Sequence, residues 1–376
     1  MTSPLHLITG ATGLVGSAIA LELLATDPDA RVVGLVRPDA RGADERLRAT
    51  LTRAARLNGH GDRLDAAIAT RATGVAADIE APDCGVAPDP TWAGAALWHC
   101  AAALDFHDRY RDAVMRTNVD GTRHVIALAR AAGVASLDYV STAYVAGTHD
   151  GIIPEAPIEP ERPVNNHYER SKIITEALAR DAGLPTRILR PSIVVGHSET
   201  CGALTLSGVY GFQRGVFKFA RLLERTQAEL SERLAIHMHV AERAELDLIP
   251  IDTVARHAVA LSRRGAPPGI YHLAGLHRVS TRGTLEVIFR SVGLPAPVFV
   301  DDPEALSWLD RKLDAAVEVY GGYLRDAKHF ARDRVDAALD GPDPTVRPLD
   351  LDTVARLCAW AYAHDLAPRE PLAVTA

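Results

Sequence analysis

Several features that mark other classes of protein are scarce or missing in this sequence of 376 residues. Its four cysteines are far apart and form no CxxC pair, which favours a reduced chain without disulfides. No apolar run reaches 18 residues, so we expect no membrane span. The opening MTSPLHLITG lacks the basic and long apolar regions of a signal peptide. Together these absences predict a cytoplasmic protein.

Positive charge and metal-ligand clusters are also in short supply. The net charge is −7 at pH 7, whereas a nucleic-acid-binding surface needs a basic excess, so no nucleic-acid partner is expected. The two histidines of IHMHV (236–240) have strand-like spacing, but no nearby Cys or second His pair completes a site. We therefore expect no metal. The hydrophobic fraction of 47% is ample for a packed core.

Apolar runs that are typical of strands alternate with helical segments along the first 195 residues. The predicted strands are LHLIT (5–9), RVVGLVR (31–37), GVAAD (74–78), ALWHCAA (96–102), SLDYVST (136–142) and TRILRPSIVV (186–195). Continuous apolar strands separated by helices predict a parallel sheet covered on both faces. The predicted fold class is therefore α/β, with a Rossmann-like doubly wound parallel sheet.

The pattern changes after about residue 196, where mostly helical sequence begins. Sheet-like runs return in LDLIPID (246–252) and GIYHLAG (269–275). We predict an NADP-binding Rossmann domain over 1–195, completed by about 246–289. Residues 196–245 and 290–376 are predicted to form a smaller, mainly helical substrate-binding lobe.

A glycine fingerprint joins the first predicted strand to the first helix. GATGLVG has glycines at 10, 13 and 16. In this context Gly10 makes the tight turn, Gly13 lets the backbone approach a pyrophosphate and Gly16 lets the helix pack closely on the sheet. The helix N-terminus supplies N–H groups for the phosphates. A plain strand-to-helix turn is the alternative.

The end of the second strand indicates which nucleotide is bound. An acid there would hold the ribose hydroxyl of NAD, whereas an arginine suits the 2′-phosphate of NADP. Arg37 occupies this place, Arg46 follows in the next helix, and the nearest acid is Asp39. These residues predict NADPH, although Arg46 could equally lie on a solvated helix face. Asp78 ends another strand and could face the adenine or cap a turn.

A tyrosine and a lysine lie four residues apart in HYERSK (167–172). A spacing of four places Tyr168 and Lys172 on one face of a helix. Only four lysines occur in the chain, so such a pair is seldom expected by chance. A nearby ammonium stabilises a phenolate, which is how a tyrosine becomes able to exchange a proton. Ser141 and Thr142 end a predicted strand at the same sheet edge, where ligands bind. A surface pair or helix cap is the alternative.

These motifs resemble an extended short-chain dehydrogenase/reductase. The chain is most similar to fatty acyl-CoA reductases and to the thioester reductase domains of nonribosomal peptide synthetases and carboxylic acid reductases. The resemblance spans about residues 5 to 196 and is carried by TGATGLVG, HCAAALDFHDRYRDAVMRTNVDGT, VSTAYVAG, YERSK and RPSIVVG. Cys100 and Asp105 depart from it, because these reductases commonly carry Asn there.

The resemblance implies the roles of individual residues. Thr142, rather than Ser141, falls at the catalytic Ser/Thr position, beside the catalytic Tyr168 and Lys172. With the motifs above, the implied and predicted cofactor contacts are Gly10, Thr12, Gly13, Leu14, Val15, Gly16, Arg37, Arg46, Asp78, Ile79, Ala101, Ala102, Asn118, Tyr168, Lys172, Pro191 and Ser192.

The activity that the resemblance implies is NADPH-dependent reduction of an acyl thioester, either to an aldehyde or, with a second hydride, to the alcohol. The acyl group would arrive on coenzyme A or on an acyl or peptidyl carrier protein acting in trans, as part of a biosynthesis. Two alternatives stay open. One is reduction of a free ketone, alcohol or nucleotide sugar by the same fold. The other is a regulator that senses NADP(H) without turnover, against which the intact catalytic trio argues.

The first lobe segment, SGVYGFQRGVFKFARLLER, is the candidate for an acyl channel. Gly208, Gly211 and Gly215 interrupt it and permit a mobile or close-packed lid. The residues predicted either to line the channel or to pack in the core are Val209, Phe212, Val216, Phe217 and Phe219. The basic residues of the segment, which could meet an acidic carrier, are Arg214, Lys218 and Arg221.

Overall fold

The computed structural model describes residues 4–226, 235–325 and 327–367. Its strands are β1 (Leu5–Thr9), β2 (Arg31–Val36), β3 (Ala72–Ala76), β4 (Ala96–His99), β5 (Ser136–Val140), β6 (Gly151–Ile153), β7 (Thr186–Pro191), β8 (Ile193–Val195), β9 (His237–His239), β10 (Glu245–Leu246), β11 (Leu248–Pro250), β12 (Gly269–Leu273), β13 (Val279–Ser280), β14 (Val298–Val300) and β15 (Lys328–Phe330).

Helices fill most of the intervals between these strands. They are α1 (Leu14–Thr26), α2 (Ala43–Leu57), α3 (Asp65–Arg71), α4 (Arg111–Met115), α5 (Gly121–Ala131), α6 (His167–Arg180), α7 (Val209–Thr226), α8 (Ile251–Arg263), α9 (Thr281–Ser291), α10 (Trp308–Val317), α11 (Asp333–Ala338) and α12 (Leu351–Ala361). The predicted helix 111–133 is α4 and α5, joined by a π-helical turn, Arg116–Asp120.

Seven parallel strands form the central sheet, in the order β12-β7-β5-β4-β1-β2-β3. The chain winds outward from β1 to β3 and then returns to place β4 on the other side of β1. This confirms the predicted doubly wound sheet. The order reverses between β1 and β4, and a crevice at the carboxyl ends of these strands is where open α/β sheets bind ligands.

The predicted strand 186–195 divides at Ser192. The Ser192 N–H donates to the Leu273 carbonyl (3.0 Å) while β8 leaves the sheet to pair with β11. The predicted run 246–252 therefore forms the end of β10, all of β11 and the start of α8. The run 269–275 supplies β12, the edge strand of the main sheet.

A second hydrophobic cluster lies beside the sheet and joins α7, α9, α10 and α12. Its fully buried members include Val216, Phe289 and Cys358. Short strands also belong to this region, because β14 pairs with β9. The predicted domain boundaries remain a prediction. Nevertheless α9, assigned above to the sheet domain, contributes Leu285, Ile288 and Phe289 to this second cluster.

Within the described part of the chain, no helix combines the length and the apolarity needed to cross a bilayer. Over the same residues, no three or more His, Cys, Asp or Glu side chains cluster in a way that could hold a metal ion.

Candidate active site

The glycine turn after β1 is shaped by close backbone approaches. Gly10 has φ +68°, and a Cβ there would lie 2.6 Å from the Ala101 backbone nitrogen. A Cβ on Gly16 would lie 2.3 Å from the Gly10 carbonyl oxygen, which only glycine tolerates. Gly13 caps α1 without a side-chain hydrogen bond, and the first turn of α1 holds no acid. This leaves an open helix N-terminus suited to a pyrophosphate.

The loop after β2 presents arginine at the end of the strand. Arg37 is exposed, and the Arg46 guanidinium donates to the Arg37 carbonyl, so both lie at the same strand end. Asp39 accepts from the Arg41 backbone (2.9 Å) and side chain (2.8 Å), and these bonds lower the pKa of its carboxyl group. The nearest acid is thus already paired with an arginine. Asp78 accepts from the Glu80 N–H (3.0 Å), the turn-capping contact considered above.

One cavity of about 360 Å³ joins the glycine turn to the predicted catalytic residues. The predicted site residues in its wall are Gly10, Gly13, Leu14, Val15, Gly16, Ala102, Thr142, Tyr168, Lys172, Pro191 and Ser192. Those outside its wall are Thr12, Arg37, Arg46, Asp78, Ile79, Ala101 and Asn118. The arginines and Asp78 follow β2 and β3, on the side of β1 where a dinucleotide's adenine half would extend.

Tyr168 lies in the first turn of α6, whose start is fixed by Asn166. The Asn166 side chain accepts from the Glu169 N–H (2.9 Å). Burial, aided by the Glu169 carboxylate, raises the pKa of Tyr168 well above its ordinary value of 10. The phenol is therefore protonated at neutral pH, which suits a proton donor in the direction of reduction.

Lys172 follows one turn later and is buried. Its Nζ donates to the Val140 carbonyl (2.9 Å) and to the Tyr139 hydroxyl (3.1 Å), and lies 5.9 Å from the centre of the Tyr168 ring. Burial lowers the pKa of Lys172 to about 8, while the neighbouring Cys100 and Glu176 side chains oppose this shift. Lys172 is therefore mainly an ammonium at pH 7.

Ser141 and Thr142 differ in how their hydroxyls are bonded. Ser141 donates its proton to the Glu176 carboxylate (2.6 Å). The Thr142 Oγ1 accepts from the Tyr144 N–H (3.2 Å), which leaves its own O–H able to donate. Both residues line the cavity. This geometry favours Thr142 as the hydroxyl offered to a substrate oxygen.

Asn118 supports the cavity wall from behind. It lies in the π-helical turn, with its Oδ1 accepting from the Ala103 N–H (2.7 Å) and its Nδ2 donating to the Ala103 carbonyl (3.1 Å) and to Ser171 (2.8 Å). It therefore links the loop after β4 to α6. Cys100, in the same loop, lines the cavity, and burial raises the pKa of its thiol to about 12, so it is neutral.

Aromatic rings that were not predicted from the sequence form the far part of the cavity. Phe106 lies 5.9 Å from Tyr168 and 6.0 Å from Tyr320 between ring centres. Tyr323 lies 5.0 Å from Tyr144 and donates its hydroxyl to Glu169 (2.6 Å). Tyr323 is 154 positions from Glu169 of α6 in the sequence, so no local pattern could have placed it here.

The lobe segment divides between the cavity and the core. Val209 and Phe212 line the cavity and also contact the second hydrophobic cluster, whereas the others predicted for a channel, Val216, Phe217 and Phe219, belong to that cluster and do not line the cavity. Gly211 serves close packing, since a Cβ there would meet the Tyr320 hydroxyl at 2.1 Å. Of the basic residues, Arg214 pairs with Asp365 and Arg221 with Glu224, both at 2.6 Å, and Lys218 is exposed.

The fold and the cavity define a Rossmann-type oxidoreductase. Residues 8–258 match the NAD-binding family model described as Male sterility protein. The chain therefore belongs to this family of extended short-chain dehydrogenase/reductases.

Individual relatives agree with this assignment. The chain is 29% identical over 268 residues to a linear gramicidin synthase of Brevibacillus parabrevis, which covers 68% of this chain and 5% of that protein. The terminal R domain from the myxalamid PKS-NRPS biosynthetic pathway has a similar fold, with a TM-score of 0.73, 22% identity and coverage of 97% of this chain and 91% of that one. A thiolation-reductase di-domain from an archaeal nonribosomal peptide synthetase gives a TM-score of 0.70 at 17% identity, covering 96% and 76%. The chain thus spans only a small part of the curated relative.

Proposed function

We propose that this protein reduces an acyl thioester to an aldehyde with NADPH. The observation that carries the proposal is a cavity that joins an open, uncapped glycine turn to Thr142, Tyr168 and Lys172 and continues into aromatic side chains of the lobe. The residues fit a nicotinamide dinucleotide, because Gly13 places no side chain over the N-terminus of α1 and the first turn of that helix holds no acid to repel a pyrophosphate.

When bound, NADPH supplies the hydride that adds to the thioester carbonyl carbon. The Thr142 hydroxyl donates a hydrogen bond to the oxygen on which negative charge develops, and Tyr168 gives that oxygen a proton. Lys172 lies beside the Tyr168 ring and stabilises the phenolate that remains. The hemithioacetal then loses its thiol to leave the aldehyde. Further reduction of the aldehyde to the alcohol would need a second NADPH.

The acyl group comes from a thiol carrier in this proposal, either coenzyme A or the phosphopantetheine arm of a carrier protein in trans. The thiolation-reductase di-domain named above supports a carrier, because there a thiolation domain and a reductase domain share one chain. The exposed Lys218 on α7 could meet an acidic carrier. Arg214 and Arg221 are already engaged in surface ion pairs.

The substrate class is tested with one acyl chain in several forms. Octanoyl-CoA, an octanoyl carrier protein, free octanoate and octan-2-one are each supplied with NADPH, and aldehyde and alcohol products are measured by mass spectrometry. We expect products from a thioester and none from octanoate, because a carboxylate is a poor electrophile. Turnover of the ketone with no product from either thioester would move the assignment to a ketone reductase.

The choice of cofactor is tested at Arg37. Arg37→Ala should weaken NADPH binding about ten- to a hundredfold and barely change NADH binding, because one charge-assisted hydrogen bond to the 2′-phosphate is lost. Arg31→Ala is the matched control, since Arg31 is also exposed but begins the same strand at its opposite end. Calorimetry on both variants measures the effect. Equal wild-type affinities for NADH and NADPH would contradict the proposal.

A further inference from the structure

Side chains of helix α6 form hydrogen bonds with two consecutive residues, Val140 and Ser141, at the end of β5. Lys172 donates to the carbonyl of Val140 (2.9 Å), and Glu176, one helical turn later, accepts the hydroxyl of Ser141 (2.6 Å). Lys172 and Glu176 are both at most 3% exposed. A cation that lines the cavity and an anion one turn further along therefore lie on the same face of a helix.

Glu176 is also held from the neighbouring strand. The Arg190 guanidinium, fully buried on β7, donates through Nε to Oε1 (2.8 Å) and through Nη2 to Oε2 (2.7 Å). Its third nitrogen, Nη1, lies 3.4 Å from Nε2 of His272, whose Nδ1 lies 2.8 Å from the Ala331 carbonyl. His272 must therefore carry its proton on Nδ1 and accept on Nε2. The carboxylate is fixed in one orientation by three donors.

The other groups that face Lys172 are neutral at pH 7. Tyr139 on β5 and Tyr168 on α6 are phenols whose pKa values are raised by burial. At the end of β4, burial lowers the pKa of His99 to about 3 and raises the pKa of Cys100 to about 12. Among the described groups around this amine, Glu176 is thus the anion.

We propose that Glu176 is a positioning residue of the active site, acting both as the counter-ion of Lys172 and as the acceptor that turns the Ser141 hydroxyl away from the substrate. One buried carboxylate then acts on two neighbouring groups: it favours the charged form of Lys172 and it accepts the Ser141 proton. Thr142 is left as the hydroxyl that can donate to the substrate. The catalytic meaning of this inference depends on the proposed function, but the protonation of Lys172 does not.

The scarcity of lysine allows a direct measurement without catalysis. With lysine labelled with ¹³C at Cε only, the four side chains give four ε-methylene carbon signals at most, and the signal missing in Lys172→Arg assigns Lys172. In the wild type we expect this signal to titrate near pH 8, because burial lowers the pKa of Lys172 to about that value. In Glu176→Gln the midpoint should fall by at least about one pH unit, because a partner charge is lost while Arg190 stays cationic.

Turnover provides a second readout. The rate of thioester reduction should fall above the pH at which Lys172 loses its proton, so this alkaline limb should move to lower pH in Glu176→Gln by the same amount. If the lysine signal shifts while the wild type reduces no thioester, the proposed function fails and this inference stands. If the wild type reduces thioesters and neither readout moves, the role of Glu176 is wrong.

A second buried pair on the same strands serves as the control. Arg187 on β7 binds Asp138 on β5 through two bonds of 2.6 and 2.8 Å, and Asp138 is fully buried. Asp138→Asn removes an equally buried carboxylate but should leave the Lys172 midpoint in place. A shift as large as that in Glu176→Gln would mean that any break in the core perturbs the lysine, which would overturn the inference.

The double variant Glu176→Gln/Arg190→Met covers the case in which the single variant does not fold. It leaves no unpaired buried charge from this pair, and replacing both partners of a buried pair is tolerated better than removing one. We expect its Lys172 midpoint still to lie below that of the wild type, although by less than in a folded single variant, because the Glu176 charge that raises the pKa of Lys172 is lost together with the Arg190 cation. A midpoint equal to that of the wild type would contradict the proposal.

Discussion

Replacing Tyr168 with phenylalanine should lower the turnover of any substrate that the wild type reduces by about 10²–10⁴-fold, the usual range for general acid–base catalysis. The change keeps the ring, which lies 5.9 Å from Phe106 and from the Lys172 Nζ, and removes only the hydroxyl. NADPH binding should stay nearly intact because Tyr168→Phe preserves the shape of the cavity. Pre-steady-state reduction and calorimetry measure the two effects separately.

The pKa of Tyr168 makes this prediction specific to reduction. Because burial raises that pKa, the hydroxyl keeps its proton over the whole working pH range and can donate it. Lys172, with a pKa of about 8, should therefore produce any loss of rate at alkaline pH. A wild-type rate that falls as the pH rises through this value and a Phe variant that is slow throughout would fit these assignments.

A matched control separates the loss of this hydroxyl from the loss of any buried hydroxyl. Tyr271 is buried on β12, outside the cavity, and donates to the Pro267 carbonyl (2.6 Å). Tyr271→Phe should cost about 1 kcal/mol of unfolding free energy, the usual contribution of one hydrogen bond, and leave turnover unchanged. Near-normal turnover in Tyr168→Phe would remove Tyr168 from the mechanism.

The sheet could be predicted from sequence because its signals are local. Buried parallel strands such as β1 and β5 appear as short apolar runs, and glycine closes the helices between them. The nucleotide turn was predictable for the same reason, since its three glycines lie in one short motif and Gly16 approaches the Gly10 carbonyl within it. The shared helix face of Tyr168 and Lys172 could likewise be predicted from their spacing of four residues alone.

The aromatic end of the cavity could not be predicted, because it depends on tertiary contacts. Tyr323 reaches Glu169 across 154 positions, and Gly211 has its role only because Tyr320 packs against it. The apolar pattern of α7 fits a channel and a core equally well. Only the fold shows that Val209 and Phe212 face the cavity while Val216 packs inside the lobe.

The sequence alone could not decide whether Ser141 or Thr142 offers its hydroxyl to the substrate, whereas their hydrogen bonds in the structure distinguish them. Adjacent hydroxyls at the end of β5 are equivalent by residue type, and only the resemblance favoured Thr142. The structure supplies a physical reason, because the Ser141 proton is given to Glu176 while Thr142 accepts from the backbone of Tyr144. A donor already committed to a buried carboxylate cannot also follow a developing oxyanion.

Thr142→Ala should therefore lower turnover by about 10²–10³-fold, the cost of removing one preorganised oxyanion donor. Ser141→Ala is the adjacent comparison. It should slow turnover less, by about tenfold at most, because it acts only through the hydrogen bond to Glu176 and costs that bond's roughly 1.5–3 kcal/mol mainly in unfolding free energy. Turnover of both variants with the same acyl thioester, alongside urea unfolding, distinguishes the two effects. A greater loss of turnover in Ser141→Ala than in Thr142→Ala would reverse the assignment, and Ser141 would then have to exchange Glu176 for the substrate oxygen during the reaction.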